Sequence, residues 1–260
     1  MRLSVVIAVK NEEKNIKRTL ESVKWADEIV IVDDVSSDKT VEICRLYTPL
    51  VFIHDSQGDF HKNKNLGIEK AGGDWILSLD GDEVVSPELA MEIRSAIKNK
   101  DMLGYYINRK NFFLGKWIRG CGWYPDYIIR LFRKGITQWP ISIVIDDTPK
   151  IVDKTRVGYL KNHLLHYSYT SFEQYIDKLN LYSLGIAKQY YLHGVRLNRF
   201  NFFIYFFIKP IFVLLYKYIF LRGYKDGWRG LFISFASGLL LFITYAKLWE
   251  FQNKSIKQNV

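Results

Sequence analysis

Two aspartates flank a glycine in Asp80-Gly81-Asp82, directly after the apolar run Trp75–Leu79. Carboxylates gathered this closely repel each other, and a divalent cation is the natural compensation. Hard oxygen ligands suit Mg2+ or Mn2+, which can also hold phosphate oxygens. Two more apolar runs end in polar groups: Leu3–Val9 leads to Asn11-Glu12, and Glu28–Val32 leads to Asp33-Asp34. In open α/β sheets ligands bind beyond the carboxyl ends of the strands, so these groups are expected along one edge. The competing assignment makes such aspartates turn formers and helix caps, and for Asp38 it is preferred.

Other phosphate and catalytic chemistries lack their residues. The chain has no G-x-G-x-x-G and no G-x-x-x-x-G-K-[ST], so neither a dinucleotide fingerprint nor a P-loop is present. H-E-x-x-H, C-x-x-C and G-x-S-x-G are also absent, against metalloprotease, dithiol redox and hydrolase functions. Only Cys44 and Cys121 occur, which excludes a disulfide scaffold and a four-cysteine zinc site and fits a reducing compartment. Met1 leads straight into Leu3–Val9 without a basic region and long apolar core, so no signal peptide is expected.

Placing the acidic groups together requires alternating strands and helices. Leu3–Val9, Glu28–Val32, Leu50–His54 and Trp75–Leu79 have the apolar character of strands covered on both faces. Asn11 is expected to cap a helix carrying Ile16, Leu20 and Val23 at i, i+4 and i+7. Ser36–Tyr47 predicts turn and helix, His61–Ala71 a helix stopped by Gly72-Gly73, and Ser86-Pro87 the start of a helix reaching Asn99. From Leu103 the pattern changes to short strands at Leu103–Arg109, Tyr127–Phe132 and Ile141–Ile145, with aromatic-rich connections. Ser171–Tyr191 has helical spacing. The expected fold is α/β, with a mixed, mainly parallel central sheet over residues 1–170. Its halves are 1–100 and 101–170, and a helical basic-apolar region fills 171–260.

Three ordered motifs carry a family resemblance. They are Val5-Val6-Ile7-Ala8-Val9-Lys10-Asn11-Glu12, Ile31-Val32-Asp33-Asp34-Val35-Ser36-Ser37-Asp38-Lys39-Thr40 and Trp75-Ile76-Leu77-Ser78-Leu79-Asp80-Gly81-Asp82-Glu83. Together they resemble family 2 glycosyltransferases over roughly residues 1–170. Gly120-Cys121-Gly122-Trp123-Tyr124-Pro125-Asp126, with Arg130-Leu131-Phe132, is similar to the branch containing lipopolysaccharide core β-glucosyltransferases. Gly223-Tyr224-Lys225-Asp226-Gly227 resembles that branch less specifically.

The resemblance implies a GT-A fold and transfer from a nucleotide-diphosphate sugar with inversion, a UDP-sugar and a hexose such as glucose being favoured. It implies that Asp33 and Asp34 bind the base, while Ala8, Val9, Asn11 and Glu12 shape the nucleoside pocket. Asp80 would sit near the ribose and the metal's water shell, and Asp82 would ligate the Mg2+ or Mn2+, with His166 as a late contact to metal or diphosphate. Two departures stand out: Lys10 replaces an aromatic residue of many relatives, and Tyr124-Pro125-Asp126 replaces a Glu-Asp pair.

Inverting transfer needs a base on the acceptor hydroxyl and stabilisation of the departing diphosphate. Asp126, after a Gly-rich turn and beside Pro125, is the expected base. Arg130 is expected either to steady phosphate or to be an exposed strand charge. Trp123 and Tyr124 can stack on acceptor sugar rings or pack in a core. Lys64 can approach the donor, although a solvated helix face is the stronger expectation for it and Lys62.

The 260 residues hold 37 Lys+Arg and 27 Asp+Glu, a net +10. Residues 1–187 carry 26 basic and 25 acidic side chains; residues 188–260 carry 11 and 2. The excess therefore coincides with an apolar tail, in which Phe200–Phe220 holds ten aromatic residues. That combination fits an anionic membrane surface and not a nucleic acid. Lys209-Pro210 and Lys217 interrupt Phe202–Leu221, so interfacial or re-entrant segments are expected there. Gly230–Ala246 has no charge over seventeen residues, the lower limit for a span. A peripheral or monotopic anchor at the cytoplasmic face of the inner membrane, near a lipid-linked or glycolipid acceptor, is expected; packing on the catalytic part or pairing as a homo-oligomer is the alternative. The functional alternatives are a sugar-phosphate nucleotidyltransferase, which would carry a Gly-rich basic loop after the first strand, and an inactive membrane scaffold.

Overall fold

Leu3–Val9 (β1) buries every side chain, as an apolar run with strands on both edges and helices on both faces must. It lies parallel between Glu28–Asp33 (β2) and Trp75–Asp80 (β4), with Val9 opposite Asp33 and Ala8 opposite Asp80. Val51–Ile53 (β3) extends the parallel set beyond β2. The computed structural model describes residues 1–139, 149–151 and 153–258, so the strand expected at Ile141–Ile145 lies outside the described residues.

Beyond β4 the direction reverses. Tyr127–Arg133 (β8) runs antiparallel to β4 and to Gly104–Phe113 (β6). Val157–Tyr169 (β11) runs antiparallel to Glu83–Val85 (β5), with His166 opposite Glu83. The strand order is β3-β2-β1-β4-β8-β6-β11-β5. Thr137–Gln138 (β9) and Lys150–Ile151 (β10) form a separate antiparallel pair.

Helices cover both faces. On one, Ile16 and Leu20 from Ile16–Ser22 (α1) and Leu89 and Ile93 from Pro87–Ala96 (α4) pack on Val5, Ile7, Leu77 and Leu79. On the other, Ile68 of Phe60–Lys70 (α3) packs with Val6, Val30 and Ile76. Thr40–Arg45 (α2) links β2 to β3. Ser86 accepts the Leu89 N–H at 3.2 Å, which makes it the expected N-cap of α4. Asn11 is not a cap: α1 begins at Ile16, and Asn11, at φ 53°, gives its side-chain oxygen to the Ser37 N–H at 2.9 Å.

The chain divides into two compact units, and all of the above except the far ends of β6 and β11 belongs to the first. The second contains Asn111–Pro125 and the chain from Ser168 onward. In it Lys116–Trp117 (β7) folds back on Phe112 and Phe113. Phe172–Leu192 (α5) is followed by a continuous helical path, Ile204–Phe220, whose centre is Lys209–Leu215 (α6). Pro210 does not end it. The proline has no N–H to donate, and the path is wound as π turns at Ile204–Ile208 and Tyr216–Phe220 on either side.

Trp228–Gln258 (α7) closes the second unit. A Cβ on Gly238 would stand 2.6 Å from the Pro210 carbonyl oxygen, so this residue lets α6 and α7 touch backbone to backbone. Trp228–Asn253 contains an 18-residue window of mean hydropathy 1.8 and is, among the described residues, the one helical stretch long and apolar enough to cross a membrane by length and composition.

Candidate active site

β1 and β2 end side by side, and the Asp34 N–H donates to the Val9 carbonyl at 2.8 Å. Ala8 and Val9 bury their side chains in the core, so only backbone can shape a pocket there. Asp33 is buried and faces its own loop: it accepts the Ser36 N–H at 2.7 Å and the Ser36 hydroxyl at 2.5 Å. Asp34, also buried, accepts from the Ser56 N–H at 2.7 Å, Asn63 Nδ2 at 3.3 Å and Lys10 Nζ at 2.9 Å. Burial opposes its charge, but the Ser56 bonds and the Lys10 ammonium hold its carboxyl below the usual range. Lys10, noted as a departure, is thus the cation of this corner. Glu12 packs its side-chain stem against Gly81 and accepts from Asn15 Nδ2 at 2.8 Å, while its N–H donates to Thr40 Oγ1 at 2.8 Å.

The Asp80-Gly81-Asp82 turn is tightly enclosed. A Cβ on Gly81 would lie 2.9 Å from Glu12 Cγ and 3.1 Å from Val9 Cγ1, so glycine alone fits between the aspartates. Thr19 Oγ1 secures the turn by donating to the Gly81 carbonyl at 2.8 Å. Asp80 receives Lys64 Nζ at 2.8 Å on one oxygen and the Arg130 guanidinium on the other. Burial opposes its charge as well, but Arg130 and Lys64 outweigh that and hold the carboxyl far below the usual range.

Lys64 and Arg130 differ from expectation. Lys64 is not on a solvated face: it is buried, with Nζ 4.3 Å above the Trp139 ring centre. Asn65, its neighbour, fixes that tryptophan by bonding both its backbone N–H and its carbonyl at 2.9 Å. Arg130 is neither an exposed strand charge nor presented to phosphate. Its side chain has 0% exposure, and besides Asp80 it binds Glu83 Oε1 at 2.9 Å. Two carboxylates, Asp80 and Glu83, converge on Arg130, and a strand-borne guanidinium is the compact way to neutralise them.

The reversal between β4 and β8 places the expected base. Because β8 runs opposite to β4, the residue preceding β8, Asp126, comes to the edge where β4 ends in Asp80. Arg109 Nε donates to Asp126 Oδ2 at 2.8 Å, and Arg109 Nη1 approaches Glu83 Oε1 at 3.4 Å. Asn108 Oδ1 accepts the Asp126 N–H at 2.9 Å. The result is one chain of ion pairs, Asp126–Arg109–Glu83–Arg130–Asp80–Lys64. Asp126 retains a side chain 25% exposed at its outer end. Glu83 accepts the Asp80 N–H at 3.0 Å and is wholly buried. Neither Glu83 nor Arg109 was assigned a role from sequence. The usable signal was charged Arg109 beside Ile107 in an otherwise strand-like run.

Asp82 and His166 face each other, Oδ1 to Nε2, at 3.5 Å. The Tyr167 N–H donates to the Asp82 carbonyl at 3.0 Å, tying this part of β11 to the turn. A carboxylate oxygen and an imidazole nitrogen fit a divalent cation that draws its other ligands from water and phosphate. No group of three or more His, Cys, Asp or Glu that could hold a metal occurs among the described residues. Trp123 and Tyr124 belong to the second unit. There Asn111 Nδ2 donates to the Trp123 carbonyl at 3.1 Å, and Tyr124 packs edge-on against Trp117 at 5.1 Å.

This architecture, a parallel half ending in aspartates joined to an antiparallel half, is the GT-A fold of sugar-transferring enzymes. The model for Glycosyl transferase family 2 matches residues 4–147, and the chain belongs to that family. An uncharacterized glycosyltransferase of Rickettsia typhi is 31% identical over 98% of this chain and 89% of its own length. The lipopolysaccharide core biosynthesis glycosyltransferase LpsC of Rhizobium meliloti is 26% identical over 99% of this chain and 96% of its own. Among solved structures, residues 1–349 of Staphylococcus aureus TarS give a TM-score of 0.51 at 16% identity, covering 98% of this chain and 92% of that one. The protein is a glycosyltransferase.

Proposed function

We propose that the chain moves a sugar from a nucleotide-diphosphate sugar to a hydroxyl of a lipid-linked or glycolipid acceptor of the cell envelope, with inversion at the anomeric carbon. The observation that carries this is the ion-pair chain that fixes Asp126 to the same edge as Asp80 and Asp82. Asp126 takes the proton of the acceptor hydroxyl, whose oxygen forms the new bond to the anomeric carbon. The bond from that carbon to the diphosphate oxygen breaks, and the nucleoside diphosphate leaves with the electron pair. Arg109 orients Asp126 and stays charged throughout.

The nucleoside lies at the corner of Ala8, Val9, Asn11, Asp33 and Asp34. TarS has been solved in complex with UDP, which favours a UDP-sugar here. Asp82 and His166 hold Mg2+ or Mn2+, which supplies charge stabilisation for the leaving diphosphate. Asp80, held by Lys64 on one oxygen and Arg130 on the other, keeps an exposed part of its side chain for the donor's ribose and the metal's water shell. Trp123 and Tyr124 receive the acceptor sugar, and the likeness to LpsC favours a lipopolysaccharide-core glycan. Residues 1–170 then form the catalytic domain and residues 171–260 its membrane-associating region, on the cytoplasmic face of the inner membrane. Support for that location comes from the 11 basic against 2 acidic residues of 188–260 and from exposed Phe203, Phe212 and Phe220.

A screen of UDP-, GDP- and dTDP-sugars with Mn2+, read as thermal stabilisation and donor hydrolysis, tests the proposal. The expected result is one preferred UDP-sugar, a β-linked product by anomeric NMR from an α-linked donor, and loss of transfer in EDTA. Retention of configuration overturns inversion, transfer that survives EDTA overturns the metal role, and failure of every donor to bind favours the inactive scaffold.

A further inference from the structure

The segment Gly223-Tyr224-Lys225-Asp226-Gly227 has no part in the chemistry above, yet Asp226 is 3% exposed and no basic side chain is its partner in the described hydrogen bonds. Its carboxylate accepts backbone instead. Oδ2 takes the Gly120 N–H at 2.6 Å, and the Arg119 N–H lies 3.2 Å from both oxygens. The same loop is held again on either side of that carboxylate. The Cys121 N–H donates to the Leu221 carbonyl at 2.8 Å, and Cys121 Sγ donates to the Gly230 carbonyl at 3.3 Å.

The fit leaves no slack. A Cβ on Gly120 would stand 2.5 Å from the Arg222 carbonyl oxygen, and one on Gly230 would stand 1.8 Å from that of Gly223. Within the second unit, then, Arg119–Cys121, the residues just before Trp123 and Tyr124, are welded to the turn joining the helical path that ends at Phe220 to α7. An aspartate is suited to this task because an ionised carboxylate accepts several N–H groups at once, whereas an amide offers one oxygen.

We propose that Asp226 is a positioning residue for acceptor recognition. It holds the loop that carries Trp123 and Tyr124 in register with the apolar, basic helices, so that a glycolipid sugar meets those rings at a fixed height above the lipid surface. This rests on the acceptor role proposed for Trp123 and Tyr124 and on the membrane association proposed for residues 171–260.

The test compares Asp226→Ala and Asp226→Asn with the full-length wild type, using UDP-glucose as donor, rough-form lipopolysaccharide as acceptor and Mn2+. Asp226→Ala should raise the acceptor KM about tenfold or more, a typical result of misplacing a binding group, while donor KM and hydrolysis of UDP-glucose by water stay put. Asp226→Asn, which keeps one acceptor oxygen, should fall between and carries the measurement if the alanine variant does not fold. In Trp123→Ala, adding Asp226→Ala should raise the acceptor KM no further. An unchanged acceptor KM, or parallel losses in donor KM, hydrolysis and thermal midpoint, would overturn the proposal. Hydrogen exchange at the Arg119 and Gly120 amides decides the tie without any turnover: faster exchange confined to 119–124 supports it, and unchanged exchange overturns it. A wild type that transfers no sugar at all would sink the enzymatic reading separately.

Discussion

Two groups of carboxylates meet at the edge of one sheet, and they are satisfied in opposite ways. Asp33 and Asp34 are held largely by short-range groups: Ser36, Ser56 and Asn63, with Lys10 as the one cation bonded to them among the described residues. Asp80, Glu83 and Asp126 are held by Arg109, Arg130 and Lys64, drawn from strands and a helix far apart in sequence. Backbone N–H groups and hydroxyls leave a carboxylate able to accept more from a neutral ligand. Guanidinium groups fix its charge and orientation even where, as at Asp80 and Asp126, part of the side chain stays open to solvent. The first arrangement suits recognition of a base and ribose. The second suits a site where charge develops and moves.

That contrast breaks most sharply at Asp126. Asp126→Asn should lower transfer by about two to four orders of magnitude while leaving donor binding near wild type; the thermal midpoint should also fall, because the ion pair to buried Arg109 is lost with the proton acceptor. Near-normal turnover would move the base elsewhere. Next in size is Arg130→Leu, which strands Asp80 and Glu83 beside an apolar side chain. Removing one partner from a buried ion pair typically costs about 3–5 kcal/mol, read here by denaturant unfolding. A loss under about 1 kcal/mol, the scale of surface pairs, would show that the cluster is better solvated than its burial implies.

The donor-side prediction is smaller. Ser36→Ala should cost about 1 kcal/mol of stability and weaken nucleotide binding, because Asp33 loses the hydroxyl that orients it. The last prediction concerns acid. The carboxyls of Asp34 and Asp80 are both depressed in the fold. Their contribution is therefore fully present above the unfolded aspartate value, about 3.9, and drains away as pH falls through the lower folded values. Asp34→Asn should flatten the stability profile below about pH 4 and leave it parallel to wild type at neutral pH. Identical acid profiles would mean that Asp34 contributes nothing through its charge.

The same contrast explains what could be read from sequence. The parallel strands, α3, α4 and the acidic strand ends were legible because periodicity, Ser86-Pro87 and Gly72-Gly73 act over a few residues. Asn11 was misjudged as a cap because its partner, Ser37, comes from the next loop. Arg130 and Lys64 were misplaced for a related reason: a lone cation in an amphipathic run is usually solvated, and only the fold brings Asp80 and Glu83 to meet it. Glu83 and Arg109 needed the pairing of β5, β6 and β8, which no local pattern encodes. Pro210 signalled a break that the π turns absorbed.

The reversal of direction at β8 has a bearing on how such a chain diversifies. The loops that leave β1, β2 and β4 all follow parallel strands and would hold the donor; the loop that enters β8 arrives from the other direction and carries the residues assigned to the acceptor. On that assignment, changes of acceptor would fall on the Trp123 and Tyr124 side chains, since Arg119 and Gly120 are fixed by Asp226 and Gly120 has no room for a Cβ, while the donor loops keep their sequence. The two vocabularies are carried by separate loops of the chain, and Asp126, the first residue after 116–125, stands at the point where they are spliced.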